Sequence, residues 1–180
     1  MSTITVNGIN YLLNSGNSTA SVTGFTGAIL AASTIPSTVT DGSTTYNVTS
    51  ISNSAFLNCT TITSMTISSS VTTIGTSSFS NCTSLTSINI PNTVTVLNDS
   101  LLLGCRSLTS YSIQSTVTRI GNSVFYGCNS ATFISMTIPS SVTSLGSYVF
   151  YGCNKLKSVD ILGNITTLND NLFEKCNKFD

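Results

Sequence analysis

The spacing of the six cysteines constrains this chain more than any other feature. They stand at positions 59, 82, 105, 128, 153 and 176, at intervals of 23, 23, 23, 25 and 23 residues. Such regular spacing indicates an internal repeat in which each unit is one coil of a solenoid. A single coil buries too few side chains to be stable alone, so the coils must stack on one another.

The same apolar frame surrounds every cysteine. Two apolar residues open each unit, and they are Val48/Ile51, Val71/Ile74, Val94/Leu97, Val117/Ile120, Val142/Leu145 and Ile165/Leu168. Three residues before each cysteine is a large apolar residue, in order Phe56, Phe79, Leu102, Phe125, Phe150 and Phe173. We expect these positions to face the interior of the solenoid.

Periodicity within a unit predicts two strands and one turn. Leu85-x-x-Ile88-x-Ile90 has the period-two alternation of a strand, and stacked coils would join five such strands in one long, parallel, concave sheet. Val71 to Ile74 predicts a short second strand on the convex side. The spacing of Phe79 and Cys82 predicts a helical or 3₁₀ turn whose inner side carries both residues.

Residues 1–47 do not follow this frame and instead show hairpin signals. Asn7-Gly8 separates two alternating segments, Thr3 to Val6 and Ile9 to Leu13, and a further strand is expected at about Ala20 to Phe25. A third pair, Ile35 to Thr40 and Thr44 to Thr49, would meet at Asp41-Gly42. We interpret residues 1–47 as an N-terminal β-hairpin cap and residues 48–180 as about six coils, together forming one continuous domain.

Composition disfavours several classes of partner. Only 7% of the residues are charged and the formal net charge is zero, so the chain lacks the basic surface that nucleic acids or anionic membranes require. Serine and threonine supply 62 of the 180 residues, but the periodic apolar positions argue against a disordered stalk. The N-terminus has no secretion signal, and no stretch is apolar enough for membrane insertion. The sequence is therefore also compatible with a cytoplasmic or virion location.

The residue types also argue against an enzyme. Without histidine, Ser-His and Cys-His nucleophile pairs are impossible. The cysteines form a column, one per coil, rather than the clusters that bind zinc, so we expect free, buried thiols that act as small apolar fillers. We predict no catalytic residues, no metal and no cofactor.

The repeat frame resembles the BspA-like leucine-rich repeats of bacterial, protozoan and viral proteins. The resemblance covers Val48 to Asp180, with repeats such as VTTIGTSSFSNCTSLTSINIP, and it implies a right-handed solenoid at a cell surface or outside the cell. The implied function is adhesion or recognition, with a host or matrix surface protein as partner. The rival hypothesis is a structural or assembly component, in a viral particle or intracellular scaffold, that self-associates through the C-terminal coil, after which no cap follows.

Two surfaces compete as the binding site. The residue after the phenylalanine position would line up in an apolar stripe formed by Leu103, Tyr126 and Tyr151, with Tyr148 nearby. Packing between coils is an equally good explanation of that stripe. The second surface is the outward side of the long sheet, which is rich in hydroxyls and includes Ser87, Asn89, Ser112, Gln114, Thr137 and Asp160. Its alternative is a merely solvated face, because it lacks aromatic or arginine anchors.

The repeat frame is interrupted at two places, by two extra residues in one unit and by Tyr111 in another. The interval of 25 residues places two extra residues between Cys128 and Met136, which predicts a bulge on a loop rim. Tyr111 stands at an inward position, where its hydroxyl needs a hydrogen-bond partner or access to solvent.

Overall fold

A computed structural model describes residues 1–27, 29–169 and 171–177. Within these ranges the chain forms strands and turns and no helix. In chain order the strands are β1 (Ser2–Val6), β2 (Ile9–Asn14), β3 (Thr19–Phe25), β4 (Ala32–Ile35), β5 (Thr38–Asp41), β6 (Thr44–Ile51), β7 (Ser64–Ile67), β8 (Thr73–Ile74), β9 (Ser87–Asn89), β10 (Val96–Leu97), β11 (Arg119–Ile120), β12 (Ser135–Ile138), β13 (Ser144–Leu145) and β14 (Ser158–Ile161).

The N-terminal strands form a mixed sheet in the order β1-β2-β3-β6-β5, and β8 also pairs with β6. β1 and β2 are antiparallel across Asn7 and Gly8, whose φ angles of 51° and 79° are those of a type I′ turn. β5 and β6 are antiparallel across a turn in which Gly42 has a φ of 58°. β6 also pairs in parallel with β3 and β8, so this sheet continues directly into the first repeat.

The long strands form two parallel sheets, and the expectation of one continuous five-stranded sheet is wrong. The first sheet has the order β4-β7-β9 and the second pairs β12 with β14, while residues 110–113 between them form no strand. Two features of the sequence account for the gap. Tyr111 replaces the smaller inward residues of the other coils and its ring lies 5.4 Å from that of Phe125, and the two extra residues follow in the next unit.

β4 also corrects the predicted strand from Ile35 to Thr40. Pro36 divides that segment, because proline has no N–H to donate to a ladder. Residues before it belong to β4, which pairs in parallel with β7, and residues after it belong to β5. The N-terminal region therefore supplies a strand to the long-strand sheet as well as its own hairpins.

The segment between the short strand and the cysteine is a chain of turns, so the predicted helical or 3₁₀ turn is wrong. Ser77 and Asn81 have φ angles of 56° and 57°, which place them in the left-handed region and prevent a helix. Both positions recur in every described coil with positive φ. This geometry turns backbone groups towards neighbouring coils: the N–H groups of Ser77, Phe79 and Asn81 donate to the carbonyls of Asp99, Leu101 and Leu103 at 2.6–3.1 Å.

The core is a continuous column of the repeated apolar residues. Phe56 and Phe79 stack at 5.1 Å, as do Phe125 and Phe150 at 5.6 Å, and Leu102, fully buried, lies between the two pairs in the repeat. Phe25 of β3 extends the stack at 6.2 Å from Phe56. Burial of these side chains between coils, rather than within one coil, holds the solenoid together.

Candidate functional site

The apolar stripe lies on the turn segments, and we call Leu103, Tyr126, Tyr148 and Tyr151 the tyrosine ridge. Backbone hydrogen bonds set its register. The N–H of Gly104 donates to the carbonyl of Tyr126 at 2.7 Å, and that of Gly127 donates to Tyr151 at 2.8 Å. These bonds place Leu103, Tyr126 and Tyr151 at the same position of three successive coils.

The ridge rings contact one another and remain partly accessible. Tyr126 and Tyr151 stack with their centroids 4.6 Å apart and their planes 12° apart. Tyr148 packs against Tyr151 at 5.8 Å in a tilted arrangement. Leu103, Tyr126 and Tyr151 are half-buried, whereas Tyr148 is 39% exposed. The ridge therefore packs between coils and also offers aromatic edges to the surface.

Tyr148 has a backbone conformation that is costly for a bulky residue. Its φ is 60°, at a position where the other coils place Ser54, Ser77, Ser100, Ser123 and Asn171. Small polar residues tolerate the left-handed region better than an aromatic residue does. The Tyr148 hydroxyl accepts a 2.9 Å hydrogen bond from the Nδ2 of Asn171, one coil further on. The sequence thus places an exposed aromatic residue where the other coils have serine or asparagine.

A lysine extends the ridge, and the sequence analysis missed it. The Nζ of Lys175 lies 5.0 Å from the centroid of the Tyr151 ring, within cation–π range. Hydrogen bonding to Tyr151 raises the pKa of Lys175 above its ordinary value. The sequence contained a signal that could have predicted this contact, because Lys175 directly follows Glu174, the residue at the ridge position of the last coil.

The second candidate surface is divided by the gap in the long-strand sheets. Ser87 and Asn89 are exposed on β9, opposite Ser64 and Thr66 of β7. On the other side of the gap, Thr137 of β12 and Asp160 of β14 are exposed and directly paired.

The other two predicted residues of that surface lie in the gap itself. Ser112 is exposed, whereas Gln114 is half-buried and its Oε1 accepts a 3.3 Å hydrogen bond from the Tyr111 hydroxyl. Gln114 therefore supplies the partner that Tyr111 needs, and its carbonyl oxygen is engaged within the chain.

The cysteines are free thiols, five of them buried and Cys176 half-buried. They do more than fill space, because each thiol from Cys82 onward donates to the backbone carbonyl at the phenylalanine position of the preceding coil. Cys82, Cys105 and Cys153 donate to Phe56, Phe79 and Phe125 at 3.2, 3.2 and 3.0 Å. Burial raises the pKa of Cys105 and of Cys153 to about 12, so these thiols stay protonated and inert at neutral pH.

The described residues contain no cluster of His, Cys, Asp and Glu side chains that could hold a metal ion. In the same part of the chain, no helix has the length and apolar character needed to cross a bilayer.

Comparison with known proteins identifies the repeat. The family model for the BspA type leucine rich repeat region matches residues 49–180 in six copies. A leucine-rich repeat protein from Bacteroides ovatus has a similar structure, with 32% sequence identity and a TM-score of 0.90 over 98% of this chain and 45% of that one. The T. pallidum leucine rich repeat protein shares 27% identity, with a TM-score of 0.84 over 98% of this chain and 79% of that chain.

A third solved structure resembles the chain less closely. A leucine rich cell surface protein from Faecalibacterium prausnitzii is 26% identical, with a TM-score of 0.51 over 95% of this chain and 57% of that chain. The search of curated proteins found no match. The family model covers more than half of the chain, and its repeat is the one that the cysteine column marks. The chain therefore belongs to the BspA-type leucine-rich repeat family.

Proposed function

We propose that the chain is a non-enzymatic adhesion or recognition module that binds proteins at a cell surface through the tyrosine ridge. The exposed, strained Tyr148 carries this proposal. The left-handed conformation belongs to the turn of every coil, and what is particular to Tyr148 is a bulky, exposed aromatic side chain at that position. A bulky residue in this region is an outlier, and such outliers are concentrated at functional sites.

The composition of the ridge favours a protein as partner. Tyrosine is enriched at protein interfaces because it offers a large apolar surface, a hydroxyl and few rotatable bonds. In the ridge, stacking holds the rings of Tyr126 and Tyr151 in place before binding, and the Asn171 hydrogen bond holds that of Tyr148. Less side-chain entropy is then lost when a partner is bound.

The cell-surface location rests on family likeness. The F. prausnitzii relative is described as a cell surface protein, and its aligned region is 26% identical in sequence to this chain. Together with the absence of charge on most of the chain, this likeness supports contact with other proteins rather than with nucleic acid or anionic lipid.

Adhesion of coated beads to cultured epithelial cells tests the proposal. Beads carrying the chain should adhere, and brief protease treatment of the cells should abolish adhesion if the receptor is a protein. The double variant Tyr126→Ser/Tyr151→Ser should lose most of the adhesion. A matched control, Asn89→Ala/Thr137→Ala on the long-strand face, should adhere like the wild type. Equal adhesion of the ridge variant and the wild type would reject the ridge.

Tyr148→Asn separates function from stability. Asparagine occupies the equivalent position in the next coil, at Asn171, with the same φ of 60°. We expect the melting temperature to stay level or rise as strain is relieved, while adhesion falls. A parallel loss of both would show that Tyr148 serves the fold alone.

A further inference from the structure

β1 is an edge strand without the features that normally protect an edge. Native sheets blunt their edges with charge, proline, bulges or very short strands. β1 has five residues, Ser2–Val6, with neither charge nor proline, and its pairing with β2 is regular. The first 40 residues of the chain contain no Asp, Glu, Lys or Arg at all.

Other edges in the described chain carry such protection. β5, at the opposite edge of the same sheet, follows Pro36 and ends at Asp41. β14 contains Asp160 and follows Lys157. β4 directly precedes Pro36 and β12 directly precedes Pro139, β9 has three residues, and β8, β10 and β13 have two residues each. β1 is therefore exceptional among the edge strands that the structure describes.

The hairpin register shows which backbone groups of β1 point outward. Val6 and Ile9 close a two-residue type I′ turn, so they form a hydrogen-bonded pair. Hydrogen-bonded and non-hydrogen-bonded pairs alternate along an antiparallel ladder. Ile4 and Tyr11 are therefore a hydrogen-bonded pair, whereas Thr3–Leu12 and Thr5–Asn10 are non-hydrogen-bonded pairs. The N–H and C=O groups of Thr3 and Thr5 thus project away from β2.

We propose that β1 pairs with β1 of a second copy of this chain, antiparallel and centred on Ile4. In this register Thr3 lies opposite Thr5 of the second copy on each side of a twofold axis, and their outward groups exchange four backbone hydrogen bonds. Ile4 faces Ile4 of the second copy in a non-hydrogen-bonded pair, where the side chains are closest. The mixed sheet becomes continuous across the two copies, by strand addition.

The self-complementarity of β1 points to a second copy rather than to an unrelated strand. A twofold axis through Ile4 brings the two copies of the same short strand together, so a charge in this strand would lie close to the same charge of the second copy. Here the register instead pairs threonine with threonine and isoleucine with isoleucine, both favourable cross-strand pairs. Ile4 and Val6 already pack against the core, and Ile4 would extend that apolar surface across the axis.

One pair of five-residue strands is a small interface, so the dimer should be weak and depend on concentration. Sedimentation velocity of the chain over a hundredfold range of concentration should show a reversible monomer–dimer equilibrium. Thr3→Pro removes one outward N–H group, but it breaks no backbone hydrogen bond to β2 and no side-chain hydrogen bond. It should therefore raise the dimer dissociation constant at least tenfold. Thr40→Pro is the matched control, since Thr40 holds the equivalent outward position on β5, and it should leave the equilibrium unchanged.

A cross-linking experiment tests the register independently of the proline variants. Non-hydrogen-bonded antiparallel pairs have the Cα separation that a disulfide requires, so Ile4→Cys should form an interchain disulfide across the axis under mild oxidation. Thr40→Cys should not. Two results would overturn the proposal. The first is a chain that stays monomeric throughout, and the second is a dimer that forms equally with Thr3→Pro but is lost with Leu168→Ser in the last coil. These outcomes do not bear on the tyrosine ridge.

Discussion

At the scale of the residue, two sets of glycines look alike in the sequence but have different roles. Gly127 and Gly152 have a φ of 68°, and a Cβ there would meet no atom within 4 Å. Gly75, Gly121 and Gly146 have no such φ, but they lie against the preceding coil. A Cβ on Gly146 would lie 2.5 Å from the backbone nitrogen of Asn122. The first set serves the turn, and the second allows coils to approach closely.

This distinction predicts different costs for the same substitution. Gly127→Ala should lower the free energy of unfolding by about 1–2 kcal/mol, the cost of left-handed backbone for a residue with a Cβ. Gly146→Ala must shift backbone in two coils and should cost clearly more, as overpacking of a rigid contact does. Urea denaturation gives both values. Gly127→Asn should be milder than Gly127→Ala, because Asn58 and Asn81 hold that position in other coils; equal costs for all three would refute the assignment.

At the scale of the element, the sequence predicted the strands that recur from coil to coil and did not predict the features that occur in one coil only. Long strands, short strands and the inward residues followed from the periodicity, because each is decided by the same burial in every coil. The gap at residues 110–113 could not be predicted, since it depends on how the Tyr111 ring and the longer next unit are packed together. Left-handed turns at Ser77 and Asn81 were also missed: serine and asparagine favour turns, but they are so frequent in this chain that they do not indicate which turn residue is left-handed.

For the candidate sites, too, the sequence predicted the position of residues in the coil but not their contacts. The ridge register was predictable from the 23-residue spacing, whereas the Lys175–Tyr151 contact and the strain at Tyr148 arise from side-chain placement and backbone angles. Cysteine burial was predictable, but the thiol hydrogen bonds to the preceding coil were not. A spacing pattern identifies the position of a residue in the coil and says nothing of the atom to which it donates.

We propose that residues 1–47 act as the N-terminal cap, and their removal tests this role. The first coil then loses the Phe25 ring against Phe56 and the β4 strand against β7. We expect a chain starting at residue 48 to bind a hydrophobic dye and to lose its cooperative thermal transition. A chain starting at residue 8, which lacks only β1 and its turn entry, should keep that transition at a lower temperature. Normal melting of the shorter chain would show that the repeats need no cap.

At the scale of the whole molecule, the thiol column makes the stability of the solenoid depend on pH. Burial raises the pKa of Cys105 and Cys153 from 9.0 to about 12, and it shifts the pKa of Cys82 and Cys128 in the same direction. Neighbouring thiols contribute to the shifts at Cys82 and Cys128, because a thiolate in one coil disfavours a thiolate in the next. The four central coils of the column therefore resist ionisation of their thiols.

The sign of the pH dependence follows from these shifts. Below pH 9 the thiols are protonated in both the folded and the unfolded chain, so stability is complete. Between pH 9 and 12 the unfolded chain releases protons that the folded chain retains, and the free energy of unfolding falls. Cys105 and Cys153 alone should contribute a fall of about 2.7 kcal/mol per pH unit, at about 1.36 kcal/mol for each thiol.

Urea denaturation under reductant at pH 8, 9, 10 and 10.5 measures this fall. The effect should be steepest above pH 9, and Cys105→Ala/Cys153→Ala should be less stable at pH 8 yet have a shallower slope, because two of the titrating groups are gone. Burial also raises the pKa of Tyr11 from 10.0 to about 12, which adds to the fall only above pH 10. The interval from pH 9 to 10 therefore reports mainly on the thiols, and constant stability across it would show that the column ionises freely in the folded chain.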